Sequence, residues 1–183
     1  MTFGNKKIAF VGATTPESFT KSTPKYFQDE NGNYIYSLSE DNNGSALYKS
    51  IQTSVDEARN EGVDYAILVG HLGIDGTTDR WKSTEVIKNT TGIDMVIDGH
   101  SHETFVTSVK NKSGKTITLA QTGTKLQNIG KLIISTDENF NAEIIPKEDV
   151  SVADNEGKLN VIKDQKIDAY IKNIQSQIFK SFN

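Results

Sequence analysis

The chain has no cysteine. Disulfides and thiolate metal sites are therefore excluded, and any metal must be held by nitrogen and oxygen. It has no apolar run approaching the ~20 residues that a membrane span needs, and no continuous apolar segment follows Met1–Lys7 to make a signal peptide. Positive charge is not in excess. The net charge is −4, only two of the basic residues are Arg, and no basic stripe occurs, which removes the electrostatic case for nucleic acid. There are no repeats, no phosphate-binding glycine loop and no Gly-x-Ser-x-Gly elbow. Three sequons begin at Asn43, Asn89 and Asn111, and in an Asn-rich chain without a secretory signal they read as chance. What is present is ordinary for a soluble globular protein: 183 residues, 35% hydrophobic and 24% charged, enough for one domain with a real core.

Histidine is scarce too, with three in all, and their placement organises the sequence. The run Ile93–Ile97 is short and apolar and reads as a buried strand. It stops at Asp98-Gly99, and His100 and His102 follow with only Ser101 between them. The apolar run Tyr65–Val69 ends the same way, in Gly70-His71-Leu72-Gly73. Each histidine thus lies just past a predicted strand and near a glycine. Open α/β sheets place their sites at strand C-terminal ends, and imidazole is a common nitrogen ligand for zinc-like metals.

Around these runs the pattern alternates. Lys7–Gly12 reads as a first strand, apolar on both faces, and so near the start of the chain that a partner strand is expected upstream. The loop Ala13–Glu17 and the polar, irregular stretch Ser18–Asn43 follow, with Tyr34–Tyr36 as a short strand. Asn42 or Asn43 can cap a helix over Gly44–Asn60. Leu47, Ile51, Val55 and Ala58 form its apolar face, and Gly62 its left-handed end. Val63–Val69 is the second strand. A helix starting at Thr78 or Asp79 runs to about Asn89, with Trp81 as a packing residue, and Gly92 stops it. Strand, helix, strand, helix, strand is an α/β alternation.

After His102 the pattern changes to hairpins. One joins Thr104–Val109 to Lys115–Ala120, and another joins Lys131–Thr136 to Glu143–Pro146. Gln121–Thr124 sits at a strand end, where it could approach the histidines. Asp149–Lys158 reads as a linker. Val161–Phe182 reads as a long helix with Ile167, Tyr170, Ile171, Ile174, Ile178 and Phe182 in one stripe. The expected fold is α/β of sandwich type, a buried sheet flanked by helices with hairpins in its C-terminal half. The expected division is 1–150 and 151–183, the second part being the linker and a connecting helix.

Two histidines one residue apart at a strand end can serve two adjacent ions, with His71 sharing one of them. Two-metal sites suit displacement at phosphorus, and they also need carboxylates. Asp75, Asp79, Asp98 and Glu103 are nearby, and spacing singles out none of them.

At these residues the chain resembles the bacterial 5′-nucleotidase branch of the calcineurin-like metallophosphoesterases. Four features carry the resemblance over about Lys7–Asp149: the loop Ala13–Glu17, the phrase Leu68–Gly73, the phrase Gly92–His102, and Gln121–Leu132. It implies that His71 and His100 are ligands of one divalent ion, zinc or manganese, and that His102 is a ligand of the other. The family's first three motifs, an Asp-x-His pair, a bridging Asp and an Asn-His dyad, precede the strand at Lys7–Gly12. No position here matches them, and no catalytic residue is expected in this chain. The resemblance implies a parent that hydrolyses nucleotide or related phosphate esters by metal-activated water attack, exported to the cell surface or periplasm. For this chain it implies weakly bound or absent metal and negligible turnover. A non-catalytic module with a structural ion, or a fragment that self-associates through the last helix, is the alternative expectation.

Overall fold

The computed structural model describes the chain apart from residues 40, 76, 77, 136, 138, 154, 156–158, 162, 163 and 181–183. Its elements run β1 (Thr2–Phe3), β2 (Lys6–Thr14), α1 (Ser18–Lys21), α2 (Ser45–Asn60), β3 (Tyr65–His71), α3 (Ser83–Asn89), β4 (Met95–Asp98), β5 (Thr104–Lys110) and β6 (Thr116–Thr122). They continue with β7 (Asn128–Ile134), β8 (Phe140–Pro146), β9 (Ser151–Ala153), β10 (Leu159–Val161) and α4 (Gln165–Lys180). The fold is mixed α/β. Its main sheet has six strands in the order β1-β2-β3-β4-β6-β5. Strands β2, β3, β4 and β6 are parallel, while β1 and β5 are antiparallel at the edges.

The parallel strands need crossovers, and α2 and α3 supply two of them on one face of the sheet. Leu47, Ile51 and Val55 of α2 and Val86 and Ile87 of α3 pack with Val11, Ala66, Leu68, Val96, Ile117 and Leu119 of the sheet. Each Val, Leu or Ile side chain among them, taken from water, contributes about 1.5–3 kcal/mol. The other face is covered in part by the ribbon β7–β8. There Leu132, Ile134 and Phe140 pack on Ile8, Tyr65 and Ile67, with the Tyr65 and Phe140 rings edge to face at 5.2 Å. Phe10, Val69 and Val106 on this second face are 49%, 44% and 43% exposed. Strand β2, expected to be apolar and buried on both faces, is buried on the helix side at Val11 and on the second face at Ile8, while Phe10 on that second face is left exposed.

The helix ends differ from expectation in informative ways. Helix α2 begins at Ser45 behind Gly44, whose φ of 84° only glycine adopts readily, and neither Asn42 nor Asn43 is its N-cap residue. The orphan N–H groups are met from further upstream. Asp41 accepts from the N–H of Asn43, Gly44 and Ala46 and from the Ser45 hydroxyl, and Asn43 Oδ1 accepts from Ser45 N–H. The expected second helix is broken at Lys82 into a 3-10 turn, Asp79–Trp81, and α3. Tyr34–Tyr36 is not a strand, and Tyr34 makes only an isolated bridge with Gln28.

One buried carboxylate ties the base of the sheet together. Asp94 accepts from Ala66 N–H at 2.9 Å, from Lys115 Nζ at 2.7 Å and from the Arg59 guanidinium. Arg59 also donates to the carbonyls of Gly92 and Asp64. The last turn of α2, the entries to β3 and β4, and the start of β6 thus share one knot.

By internal contacts the chain forms two compact units, Met1–Ile144 and Ile145–Asn183. The second contains the antiparallel pair β9–β10 and helix α4. Part of the expected linker is thus strand β9. Helix α4 starts later than expected, at Gln165, with Asp164 Oδ1 accepting from the N–H groups of Lys166 and Ile167. Ile167, Tyr170, Ile171, Ile174 and Ile178 of its stripe are exposed, and Phe182 lies outside the described residues. Among the described residues no helix is long and apolar enough to cross a membrane.

Asp94→Ala is expected to cost about 2–3 kcal/mol, because it strips the buried Ala66 N–H and two cations of their shared acceptor. The check is the urea midpoint at unchanged slope. For Asp41, the Ser45 hydroxyl first, against burial, and then the N–H groups of Ala46, Gly44 and Asn43 hold the carboxyl below its ordinary 3.8. A depressed folded value means that this stabilisation is present above the unfolded value and is lost as pH falls through the folded one. Wild type should therefore lose stability more steeply below about pH 4 than Asp41→Asn does. Parallel stability curves for the two proteins would reject the cap.

Candidate functional site

The candidate site forms where β3 and β4 end side by side. His71 is the last residue of β3, paired in register with Thr14, rather than a residue past the strand. Its carbonyl accepts from Thr15 N–H at 2.9 Å. The chain after β4 turns through His100 and His102, both at positive φ, 80° and 60°. Non-glycine residues pay about 1–2 kcal/mol each for that conformation, so the surrounding structure must enforce it.

Two buried polar side chains do so. Asp98, at the end of β4, accepts from Leu72 N–H at 2.9 Å and from Gly73 N–H at 3.0 Å, which bolts the turn after β3 to the end of β4. Gln121, at the end of β6 and 1% exposed, donates to the Gly99 carbonyl at 3.0 Å. It accepts from Glu103 N–H at 2.7 Å and from the Ser101 hydroxyl at 3.1 Å. The glycines beside His71 are needed for closeness. A Cβ at Gly70 would stand 3.0 Å from Asp98 Oδ1, and one at Gly73, whose φ is 79°, would stand 3.1 Å from His100 Cδ2.

These supports bring His71 Nε2 and His100 Nδ1 to 3.0 Å, with the rings edge to face. Behind His100, its Nε2 lies 3.3 Å from Glu17 Oε2. If Nε2–H donates to that carboxylate, Nδ1 keeps its lone pair and accepts from His71. Glu17 is itself fixed: Oε1 accepts from Thr78 N–H at 2.7 Å and from its hydroxyl at 2.6 Å, and Oε2 pairs with Lys21 at 2.7 Å. Burial alone would push the Glu17 carboxyl up. Lys21, Thr78 and His100 outweigh it and hold the carboxyl at about 2. Burial pushes the His71 imidazole below its ordinary 6.5, His100 and His102 lower it further, and Asp98 opposes them. A neutral imidazole is the form that binds metal.

His102 shares an open cleft of about 290 Å³ with His71, His100, Ser18, Lys21 and Ser22. The three histidines picked out in sequence are thus gathered in one place. The four carboxylates near them are not. Asp98 is spent on backbone N–H groups, Asp75 is exposed, Asp79 is exposed and paired with Lys82, Glu103 is within reach of Ser101, and the carboxylate that faces His100 is Glu17. Glu17 was not singled out by sequence, whereas Gln121 belongs to the strand-end stretch Gln121–Thr124 expected to approach the histidines, and it meets their turn at Gly99, Ser101 and Glu103. Each lies in a segment that carried the resemblance, and only the fold gives them a role.

Two imidazole nitrogens each about 2.0–2.1 Å from one ion stand roughly 3 Å apart, so the His71–His100 pair fits as neighbouring ligands. A carboxylate behind the far nitrogen of a ligating histidine is the usual orienting partner. Among the described residues, however, no three His, Cys, Asp or Glu side chains are gathered closely enough to hold a metal ion. The donor set here is partial.

No protein-family model matches the chain, and no curated protein matches it in sequence. Among solved structures it is similar to a Staphylococcus aureus protein named "Putative 5′-Nucleotidase", crystallised in complex with α-ketoglutarate. The TM-score is 0.53 and the identity 17%, over 96% of this chain. The chain spans 32% of the length of that protein's chain. The two share a fold, at a distance.

Gln121→Leu keeps the volume and removes the bonds to Gly99, Ser101 and Glu103. It is expected to cost about 1–3 kcal/mol by thermal or urea unfolding, and to broaden the His100 and His102 imidazole resonances in NMR spectra. An unchanged stability would show that the turn holds itself.

Proposed function

We propose that this chain is part of a 5′-nucleotidase-like metallophosphoesterase, whose whole acts on nucleotide phosphate esters. The observation that carries the reading is the opposed pair His71 Nε2 and His100 Nδ1, with Glu17 braced behind His100. His71 and His100 would hold one divalent ion, zinc or manganese, and His102 would contribute to a second. Bound there, the ions would polarise the phosphoryl oxygens and lower the pKa of the attacking water. The fold likeness to a protein named for the same activity supports the reading.

The residues of this chain do the positioning. Glu17 keeps the His100 proton on Nε2, so that Nδ1 faces inward. Asp98 and Gln121 hold the two histidine-bearing turns against each other, so that little reorganisation accompanies binding. The Lys21 ammonium lines the same cleft and gives a phosphoryl group a cation on the approach side. With two histidines for one ion and one for the other, the 183-residue chain on its own should bind metal weakly and turn over negligibly.

Calorimetry with Zn²⁺ and Mn²⁺, followed by assays of 5′-AMP and p-nitrophenyl phosphate on the same samples, tests this. Weak binding that disappears in His71→Ala/His100→Ala, without turnover, is expected. Absence of any binding, or binding indifferent to that double substitution, would falsify the metal reading. Efficient metal-dependent turnover would show instead that residues in this chain complete the site.

A further inference from the structure

The two oxygens of the Glu17 carboxylate are not equivalent. Oε1 is committed to Thr78, whose N–H and hydroxyl donate to it at 2.7 and 2.6 Å. Oε2 faces two donors of different kinds, Lys21 Nζ at 2.7 Å and His100 Nε2 at 3.3 Å. The lysine is the nearer partner, and the histidine contact is the one with room to shorten. The Glu17 and His100 side chains are each 10% exposed, whereas that of Lys21 is 47% exposed. Packing thus fixes the carboxylate and the imidazole, and the lysine is the member that can swing, by rotamer changes that are fast for exposed side chains.

Lys21 also lines the cleft that holds the three histidines, together with Ser18 and Ser22. These three residues stand at i, i+3 and i+4 along α1 and its C-cap, so they share one face. The Ser18 hydroxyl lies 2.8 Å from that of Thr14 and keeps capacity for a further bond. A phosphate monoester entering the cleft would meet an ammonium and two hydroxyls on one side and imidazoles on the other. Its oxygens would compete with Glu17 Oε2 for the same ammonium. At neutral pH such a group carries between one and two negative charges on three acceptor oxygens, roughly −1.5 to −2, against the single charge of the carboxylate.

We propose that Lys21 shuttles between Glu17 and a phosphate ester in the cleft, and so couples phosphate binding to the grip of His100 on a divalent ion. With the cleft empty, the ammonium shares Oε2 with His100 and holds much of its charge. When the ester takes the ammonium, Oε2 is left to the His100 N–H alone. A carboxylate that accepts more fully from Nε2–H makes Nδ1 a better donor to an ion. The coupling is reciprocal. With an ion between His71 and His100, the Nε2–H becomes the stronger claimant on Oε2, and Lys21 turns toward the cleft where the ester arrives. No covalent step is involved. The inference rests on the reading of His71 and His100 as ion ligands, and it adds Lys21 as a positioning residue that responds to the phosphate group.

The probes are Zn²⁺ and methylphosphonate, a mimic of a phosphate monoester with no ester bond to cleave. Zn²⁺ affinity is measured by calorimetry on the 183-residue chain, as wild type, Lys21→Met, Glu17→Gln and the double variant. Lys21→Met should tighten Zn²⁺ binding about two- to tenfold, and Lys21→Arg should return it to the wild-type value. In the Glu17→Gln background, which keeps an acceptor for Thr78, Lys21→Met should change the affinity by less than about twofold. Saturating methylphosphonate should tighten Zn²⁺ binding more in wild type than in Lys21→Met. An equal gain from Lys21→Met with and without the Glu17 carboxylate would mean plain repulsion between ammonium and ion, and overturns the shuttle. So does a Zn²⁺ affinity that Lys21→Met leaves unchanged, or a methylphosphonate effect equal in wild type and Lys21→Met. In those cases Zn²⁺ still binds and His71→Ala/His100→Ala still abolishes it, so the histidine reading stands and the shuttle alone is lost. Failure of Zn²⁺ to bind any of the four proteins sinks the histidine reading and the shuttle together.

Discussion

The bond on which the site depends is the one from Asp98 to the N–H groups of Leu72 and Gly73. A buried carboxylate that accepts one backbone N–H on each of its oxygens is among the stronger interactions a small domain can make. Here it joins the ends of two neighbouring parallel strands. Without it the turn after β3 would be free to move away from β4, and His71 would lose its register with His100. Gln121 repeats the device from the next strand, so three consecutive strand ends, β3, β4 and β6, are tied by side chains of Asp and Gln in place of further ladder bonds.

This design explains why the histidine turn can carry backbone strain. Positive φ at His100 and His102 is unfavourable locally, and it persists because the flanking N–H and C=O groups are already committed to Gln121 and the Ser101 hydroxyl is held there too. The strain sits where the side chains converge. The rest of the sheet is conventional: a helix-covered face with a continuous aliphatic core, a second face covered in part by a β-ribbon, and the Asp94 knot at the opposite ends of the strands. Stability is thus concentrated below the site, and the polar braces convert that rigidity into fixed imidazole positions.

The segment 18–39 is a different kind of structure. It contains few regular elements, with one turn of α-helix, one 3-10 turn and an isolated bridge. Its order comes from aromatic contacts and from Glu17, which ties its start to Thr78 and to His100. A single carboxylate therefore couples the aromatic stretch to the histidine turn.

The sequence by itself determined the alternation of strands and helices, the hairpin at Asn111–Gly114, the Gly62 helix end and the gathering of His71, His100 and His102, because hydrophobic period and glycine placement are local signals. It did not reveal that Phe10 stays exposed, that helix α2 is capped from Asp41, that Asp98 is a brace, or that Glu17 is the carboxylate facing His100. Each of these depends on which chain segment lies alongside. Burial of a strand face depends on what covers it, and the role of a carboxylate depends on the N–H groups or imidazole brought to it across tens of residues. Only the tertiary structure makes those juxtapositions, so periodicity could point to the site while its supporting shell had to be read from the fold.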